Sequence, residues 1–202
     1  MIKVAAFDIG KVLLDFDYGI FVRRMAPRTK MDESALDAFL NQSPLLAQYE
    51  SGQLTSPEFF AIVQKETGFD GTESEFAAYF EDIFTPIEEI IALHTKLTAS
   101  GLPTYTLSNT NEMAVRHISR AYDFWPRFTG HILSHEVGAL KPNAKIYELF
   151  EQTTGCHGNE ILYLDDLPEN IAAAKSRGWH AIEHRTPEAT RAAFLELGIL
   201  AL

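Results

Sequence analysis

A chain of 202 residues that is 46% apolar and 22% charged holds enough apolar mass for one α/β core with a small accessory unit. Its net charge of −11 leaves no basic stripe for a phosphate backbone, which excludes nucleic acid as a partner, and any anionic substrate must meet positive charge supplied locally. The single cysteine, Cys156, has no partner for an internal disulfide, which fits a reducing compartment; no apolar stretch reaches the ~20 residues that span a bilayer.

The chain opens Met-Ile-Lys-Val-Ala-Ala-Phe-Asp, too short before its first acid for a secretory leader, so a cytoplasmic location is expected. Residues 2–7 form an apolar run ending at Asp8 and Gly10, the pattern of a buried strand that carries an acid to its C-terminal tip. From about 18 to 83 the apolar spacing is helical, in Leu36, Phe39, Leu40 and again in Phe59, Phe60, Val63. Thr55 and Glu58 form a capping box with Pro57 early in the helix, and no strand is expected in this region. Thr85 is expected to cap the next helix with Glu88 reaching back to it, and Gly101 to end that helix. Pro103–Leu107 then reads as a strand running into Ser108-Asn109-Thr110, followed by a helix to about Tyr122 and a short strand at His131–Leu133. A helix over Asn143–Thr154 closed by Gly155 leads to a strand at Ile161–Leu164 that runs into Asp165-Asp166. Glu169–Arg177 (helix), His180–Ile182 (strand) and Pro187–Leu197 (helix) complete the pattern. Strands alternating with helices predict βαβ units and a parallel sheet, a Rossmann-like α/β core with a helical insert.

Strand tips bearing Asp8, Ser108 and Asp165-Asp166 belong on one edge of such a sheet, where open α/β folds bind ligands. Phosphoryl transfer needs an in-line nucleophile, donors for three oxygens, and cations to spread charge. Asp8 fits the nucleophile, and Gly10 leaves backbone open to close approach. Ser108 and the Asn109 amide, taken to open a helix, fit the phosphate oxygens; Lys141 fits the missing positive charge. Asp165 and Asp166 repel one another unless a cation joins them, and Mg²⁺ takes a few such oxygens. Each feature has a plainer reading alone: Asp8 as a turn acid, Ser108 or the acidic pair as caps, Lys141 as a solvated side chain. Together those readings need four coincidences. The seven histidines show no zinc-ligand spacing, and Phe59, Phe60, Phe76, Phe80 and Phe84 read as the insert's own core. Phe16, Tyr18 and residues 48–52 are the candidates to face a substrate.

Phe7-Asp8-Ile9-Gly10-Lys11-Val12, Leu107-Ser108-Asn109-Thr110, Lys141-Pro142 and Leu164-Asp165-Asp166, in that order, resemble the haloacid dehalogenase superfamily, mostly phosphatases. Asp8-x-Gly10-x-Val12-x-x-Asp15 and Leu107-Ser108-Asn109-Thr110-Asn111 are most similar to its bacterial α-D-glucose 1-phosphate phosphatase-like branch. The resemblance implies a core of residues 1–15 and 85–202 with a four-helix cap at 16–84. It implies Asp8 as nucleophile and metal ligand, with Ser108 and Lys141 holding phosphate. Asp166, supported by Asp165 and the Gly10 carbonyl, would bind Mg²⁺. The implied function is hydrolysis of small phosphorylated metabolites, sugar phosphates among them, by a monomer or homodimer without nucleic acid or membrane. The family's phosphatases usually carry a second acid two residues after the nucleophile, where this chain has Gly10; Asp15 or Asp17 would have to approach from the hinge to replace it. Rival readings are a metal-independent 2-haloacid dehalogenase and a non-catalytic binding module.

Overall fold

A computed structural model describes residues 1–199 apart from 42 and 82. β1 (Val4–Phe7) and β2 (Leu14–Phe16) are followed by α1 (Tyr18–Met25), α2 (Glu33–Leu40), α3 (Pro44–Glu50), α4 (Ser56–Thr67) and α5 (Glu73–Glu81). β3 (Phe84–Pro86), α6 (Glu88–Ala99), β4 (Thr104–Ser108), α7 (Glu112–Ala121), β5 (Gly130–Leu133) and α8 (Ser134–Val137) come next. The chain continues through α9 (Ala144–Thr154), β6 (Ile161–Asp165), α10 (Pro168–Ser176), β7 (His180–Glu183) and α11 (Pro187–Glu196).

The expected parallel sheet is present, in the order β5-β4-β1-β6-β7. β1 is central because nearly every side chain in it is small or apolar enough to be buried on either face. Ala5 and Phe7 enter one core and Val4 and Ala6 the other, as a period of two requires. The first core takes side chains from α6, α7 and α11 and runs on into α1–α5; the second takes them from α9 and α10. Three layers result, with β4, β1 and β6 side by side in the middle.

Two local expectations are corrected. Thr85 caps no helix: it lies opposite Asp15 in an antiparallel ribbon of β2 and β3, with Phe16 opposite Phe84. Ile87 takes the cap position of α6 without a side-chain bond, and its N–H donates to Leu13 O at 2.9 Å. A capping box is a local signal, blind to a partner strand 70 residues away, and the ribbon's backbone pairing wins. The second correction is that five α-helices, not four, lie between β2 and β3 among the described residues. Ser43 accepts from Leu46 N and Pro44 occupies the first turn, so a new helix starts just after α2 has ended. The Thr55–Glu58 capping box is present in both directions. No helix among the described residues is long and apolar enough to cross a membrane.

His94 on α6 is wholly buried between Phe7 and Phe128, with Nε2 2.9 Å from Thr104 Oγ1 and no partner for Nδ1. Burial, reinforced by Arg127, pulls its pKa down to about 4. The folded state therefore holds His94 neutral where the unfolded chain, titrating near 6.5, takes up a proton. Stability from this group is complete above pH ~6.5 and is lost as pH falls toward 4, by about 3 kcal/mol. Urea unfolding at stepped pH is expected to show that fall, and His94→Leu to flatten it.

Candidate active site

The adjacency of β4, β1 and β6 brings the three polar strand ends together. Asp8 follows β1 and is 7% exposed; its Oδ1 accepts from Ile9 N at 2.8 Å. Lys141 enters from the loop between α8 and α9 and is held there by a reciprocal pair. Its backbone N–H donates to Asn109 Oδ1 at 2.7 Å, while Asn109 Nδ2 donates to Lys141 O at 3.1 Å. The Lys141 ammonium then lies 2.6 Å from Asp165 Oδ2, 2.9 Å from Leu107 O and 3.0 Å from Asp8 Oδ1. One buried cation thus ties all three strand ends.

Asp165 and Asp166 differ sharply. Asp165 is wholly buried and saturated: Oδ1 accepts from Leu167 N and Asn170 Nδ2, and Oδ2 from Lys141 and the Tyr163 hydroxyl. Burial would raise its pKa, but Lys141 and these donors outweigh it and hold the carboxyl below its usual range. Asp166 is half-buried and lines a cavity; burial, then Asp165, pushes its pKa up. Burial likewise pushes Asp8 up, to about 7, with Lys141 drawing it down and Asp165 adding to the rise.

Carboxylate oxygens of Asp8, Asp165 and Asp166 all lie within 4.8 Å of one another, the sole grouping of its kind among the described residues. Asp8 and Asp165 share the Lys141 ammonium, Asp166 has no such partner, and Asp8 and Asp166 are held in a state that an added cation would relieve. All-oxygen donors of this kind fit a hard divalent ion such as Mg²⁺.

Above this cluster is a cavity of about 420 Å³. Asp8, Gly10, Ser108, Asn109 and Asp166 line one side; Phe16, Tyr18, Leu46, Glu50, Phe80 and Phe84 are among the residues on the other. The structure thus brings together all the sequence-predicted site residues except that Asp165 and Lys141 sit behind the lining, against Asp8. Asn109 does not open a helix: α7 begins three residues later, capped by Asn111, whose Oδ1 accepts from Ala114 N at 3.0 Å. Of the aromatic residues assigned to the insert's own core, Phe59, Phe60 and Phe76 do cluster there, with centroids 5.4–6.0 Å apart around Phe76, but Phe80 and Phe84 also face the cavity. Asp15 and Asp17 do not approach. Asp15 is exposed and paired with Lys11, while exposed Asp17 caps α1 and pairs with Arg23, so local partners hold both outside.

Sequence reasoning missed Asn170 and Tyr163 as supports of Asp165, and did not single out Glu50 within residues 48–52. The available signal for Glu50 was the neighbouring Gly52. Its φ is +71°, and a Cβ there would lie 2.1 Å from His135 O, so the chain passes hard against α8 at this point.

A family model for haloacid dehalogenase-like hydrolases matches residues 2–178. The chain is 25% identical over 179 residues to a sesquiterpene phosphatase of Aspergillus oryzae, covering 87% of this chain and 86% of that protein. It is 23% identical over 200 residues to a D-ribitol-5-phosphate phosphatase of Bacteroides thetaiotaomicron, covering 91% and 92%. Among solved structures it resembles a haloacid dehalogenase family enzyme of Bacteroides thetaiotaomicron in complex with magnesium and inorganic phosphate. That likeness has a TM-score of 0.79 at 21% identity and covers 92% of this chain and 95% of the other.

The unequal bonding of the two neighbouring acids has a measurable consequence. Asp165→Asn, which strips Lys141 of its closest buried counter-charge, is expected to cost ~3–5 kcal/mol in chemical unfolding. Asp166→Asn, at a half-buried carboxyl already pushed toward protonation, is expected to leave stability unchanged or slightly raised.

Proposed function

Because the chain belongs to the haloacid dehalogenase-like hydrolases, we propose that it is a Mg²⁺-dependent phosphatase of small phosphomonoesters working through an aspartyl-phosphate on Asp8. The observation that carries this reading is the carboxylate cluster of Asp8, Asp165 and Asp166 beneath an open cavity, braced by Lys141. A site that attacked carbon and released halide without a metal would have little use for Asp166 beside Asp165. Two relatives named as phosphatases of organic phosphates lend further support.

Asp8, the Gly10 carbonyl and Asp166 would hold Mg²⁺, which supplies Lewis-acid charge to the phosphoryl oxygens when bound. Asp8 attacks phosphorus in line with the leaving oxygen. The Ser108 hydroxyl and the Asn109 amide hold the remaining oxygens, and Lys141, behind them against Asp8, supplies positive charge. Asp165 holds Lys141 in place and charged, and so acts through it. Residues 1–15 and 85–202 would form the catalytic core and 16–84 the cap, the Phe16–Phe84 pair marking where the chain leaves and returns.

The wall opposite the carboxylates is mostly aromatic and aliphatic, with Asn41, Ser43 and Glu50 as its polar members. This favours an ester whose organic group presents apolar surface over a fully hydroxylated hexose phosphate.

The test is phosphate release from aryl, alkyl and sugar phosphates with Mg²⁺ and with EDTA. Metal-dependent release is expected, aryl and alkyl esters leading, with Asp8→Asn at the uncatalysed background and folded by thermal melt. Halide release from 2-haloacids, undiminished by EDTA, would overturn the phosphatase reading.

A further inference from the structure

The position two residues after the nucleophile candidate carries no carboxyl, because it is Gly10. A Cβ built on Gly10 would lie 2.9 Å from the Phe16 ring, so any side chain there would require the ring to shift. The carboxylates that line the cavity are Asp8, Asp166 and Glu50. Asp8 and Asp166 belong to the cation cluster. Lys11 also lines the cavity, but its ammonium is bound to Asp15 and to Phe16 O.

Resting on the phosphatase reading, we propose that Glu50, at the end of α3, is the general acid and base of this enzyme, delivered by the helical insert from across the cavity.

Three observations converge on Glu50. Its carboxyl makes no hydrogen bond to any described residue and lines the cavity from a half-buried position, so it is free to meet a group bound there. Its backbone is anchored to the sheet-bearing half of the molecule. Ser134 Oγ donates to Glu50 O at 2.6 Å while accepting from Thr110 N, next to the Ser108-Asn109 edge. On its two sides, Tyr49 accepts from Met113 N at 3.1 Å and Gly52 lies against His135, so Glu50 is placed by the same loops that place the phosphate donors. Finally, burial and then the nearby Asp8 push its pKa up to about 7, the range in which a carboxyl can both give and take a proton.

In the first step an Asp8 oxygen bonds to phosphorus as the P–O bond to the organic group breaks. That electron pair stays on the leaving oxygen, which takes the Glu50 proton. In the second, water attacks phosphorus and gives a proton to Glu50 as the bond to Asp8 breaks. This returns both carboxyls to their starting state.

Protonation matters most for a poor leaving group. Initial rates with Mg²⁺ are therefore compared for hexyl phosphate, whose alcohol leaves badly, and p-nitrophenyl phosphate, whose phenolate leaves readily. Glu50→Gln is expected to lose ~10²–10⁴-fold in kcat/KM on hexyl phosphate and under about tenfold on p-nitrophenyl phosphate. Glu50→Asp is expected to recover part of the hexyl phosphate rate, and thermal melts establish that both variants fold. Equal losses on both esters, or none, would overturn the assignment while leaving the phosphatase reading intact. A wild-type protein inert toward both esters would overturn both.

Discussion

The ammonium of Lys141 is the interaction on which the rest of the site depends. It is buried beneath the ends of three adjacent strands, bonded to Leu107 O on one and to Asp165 and Asp8 on the others. A charge so placed persists only with full compensation, and this arrangement uses all three of its N–H donors. Leaving Asp165 or Asp8 unpaired there would be as unfavourable as leaving the lysine so. The sheet order is consequently coupled to the chemistry: β4, β1 and β6 must be neighbours for the triplet to close. Asn109 completes the frame by gripping the Lys141 backbone in both directions.

The helical insert is part of the same structure rather than an appendage. Its aromatic interior, with Phe21, Phe59 and Phe76, is continuous with the apolar face of the sheet on which Phe7 and Leu164 lie. Polar stitches fasten it at the site's rim. Tyr49 and Ser56 reach Glu112 and the first turn of α7, and Ser134 reaches the end of α3. Enclosing the acids on this side raises the carboxyls of Asp8 and Asp166 through burial, and a cation bound at the cluster would offset that penalty. The cavity therefore has two chemical halves, an oxygen-rich edge from the sheet and a largely apolar wall from the insert.

Much of this was legible in the amino-acid order. The five parallel strands, their helices and the edge bearing Asp8, Ser108 and Asp165-Asp166 follow from apolar runs ending in polar residues, because strand burial and strand tips are properties of short segments. The Thr55–Glu58 box and the closing residue Gly155 were equally local signals. The misreadings share one cause. Thr85 carried a good capping signal, but Asp15, far off in the chain, supplied a strand partner. Phe80 and Phe84 had the same apolar spacing as Phe59 and Phe76, and periodicity does not say whether a buried ring meets another ring or an open cavity. Asp15 and Asp17 were near enough in sequence to serve the site, yet Lys11, Gly19 and Arg23 hold them outside.

By itself, then, the amino-acid order determined the fold class, the reactive edge and the identity of its nucleophile candidate, since each is encoded within a few consecutive residues. Tertiary structure alone decided three things. Asp165 became a saturated support for Lys141 while its neighbour Asp166 kept an open carboxyl, a distinction made by Tyr163, Leu167 and Asn170. Phe16 came to lie with its ring against Gly10. And Glu50, 42 residues after Asp8 in the chain, came to line the same cavity because Gly52 and Ser134 draw that turn of the insert against α8. Contacts between distant segments depend on how whole elements pack, and no local pattern of residues records that.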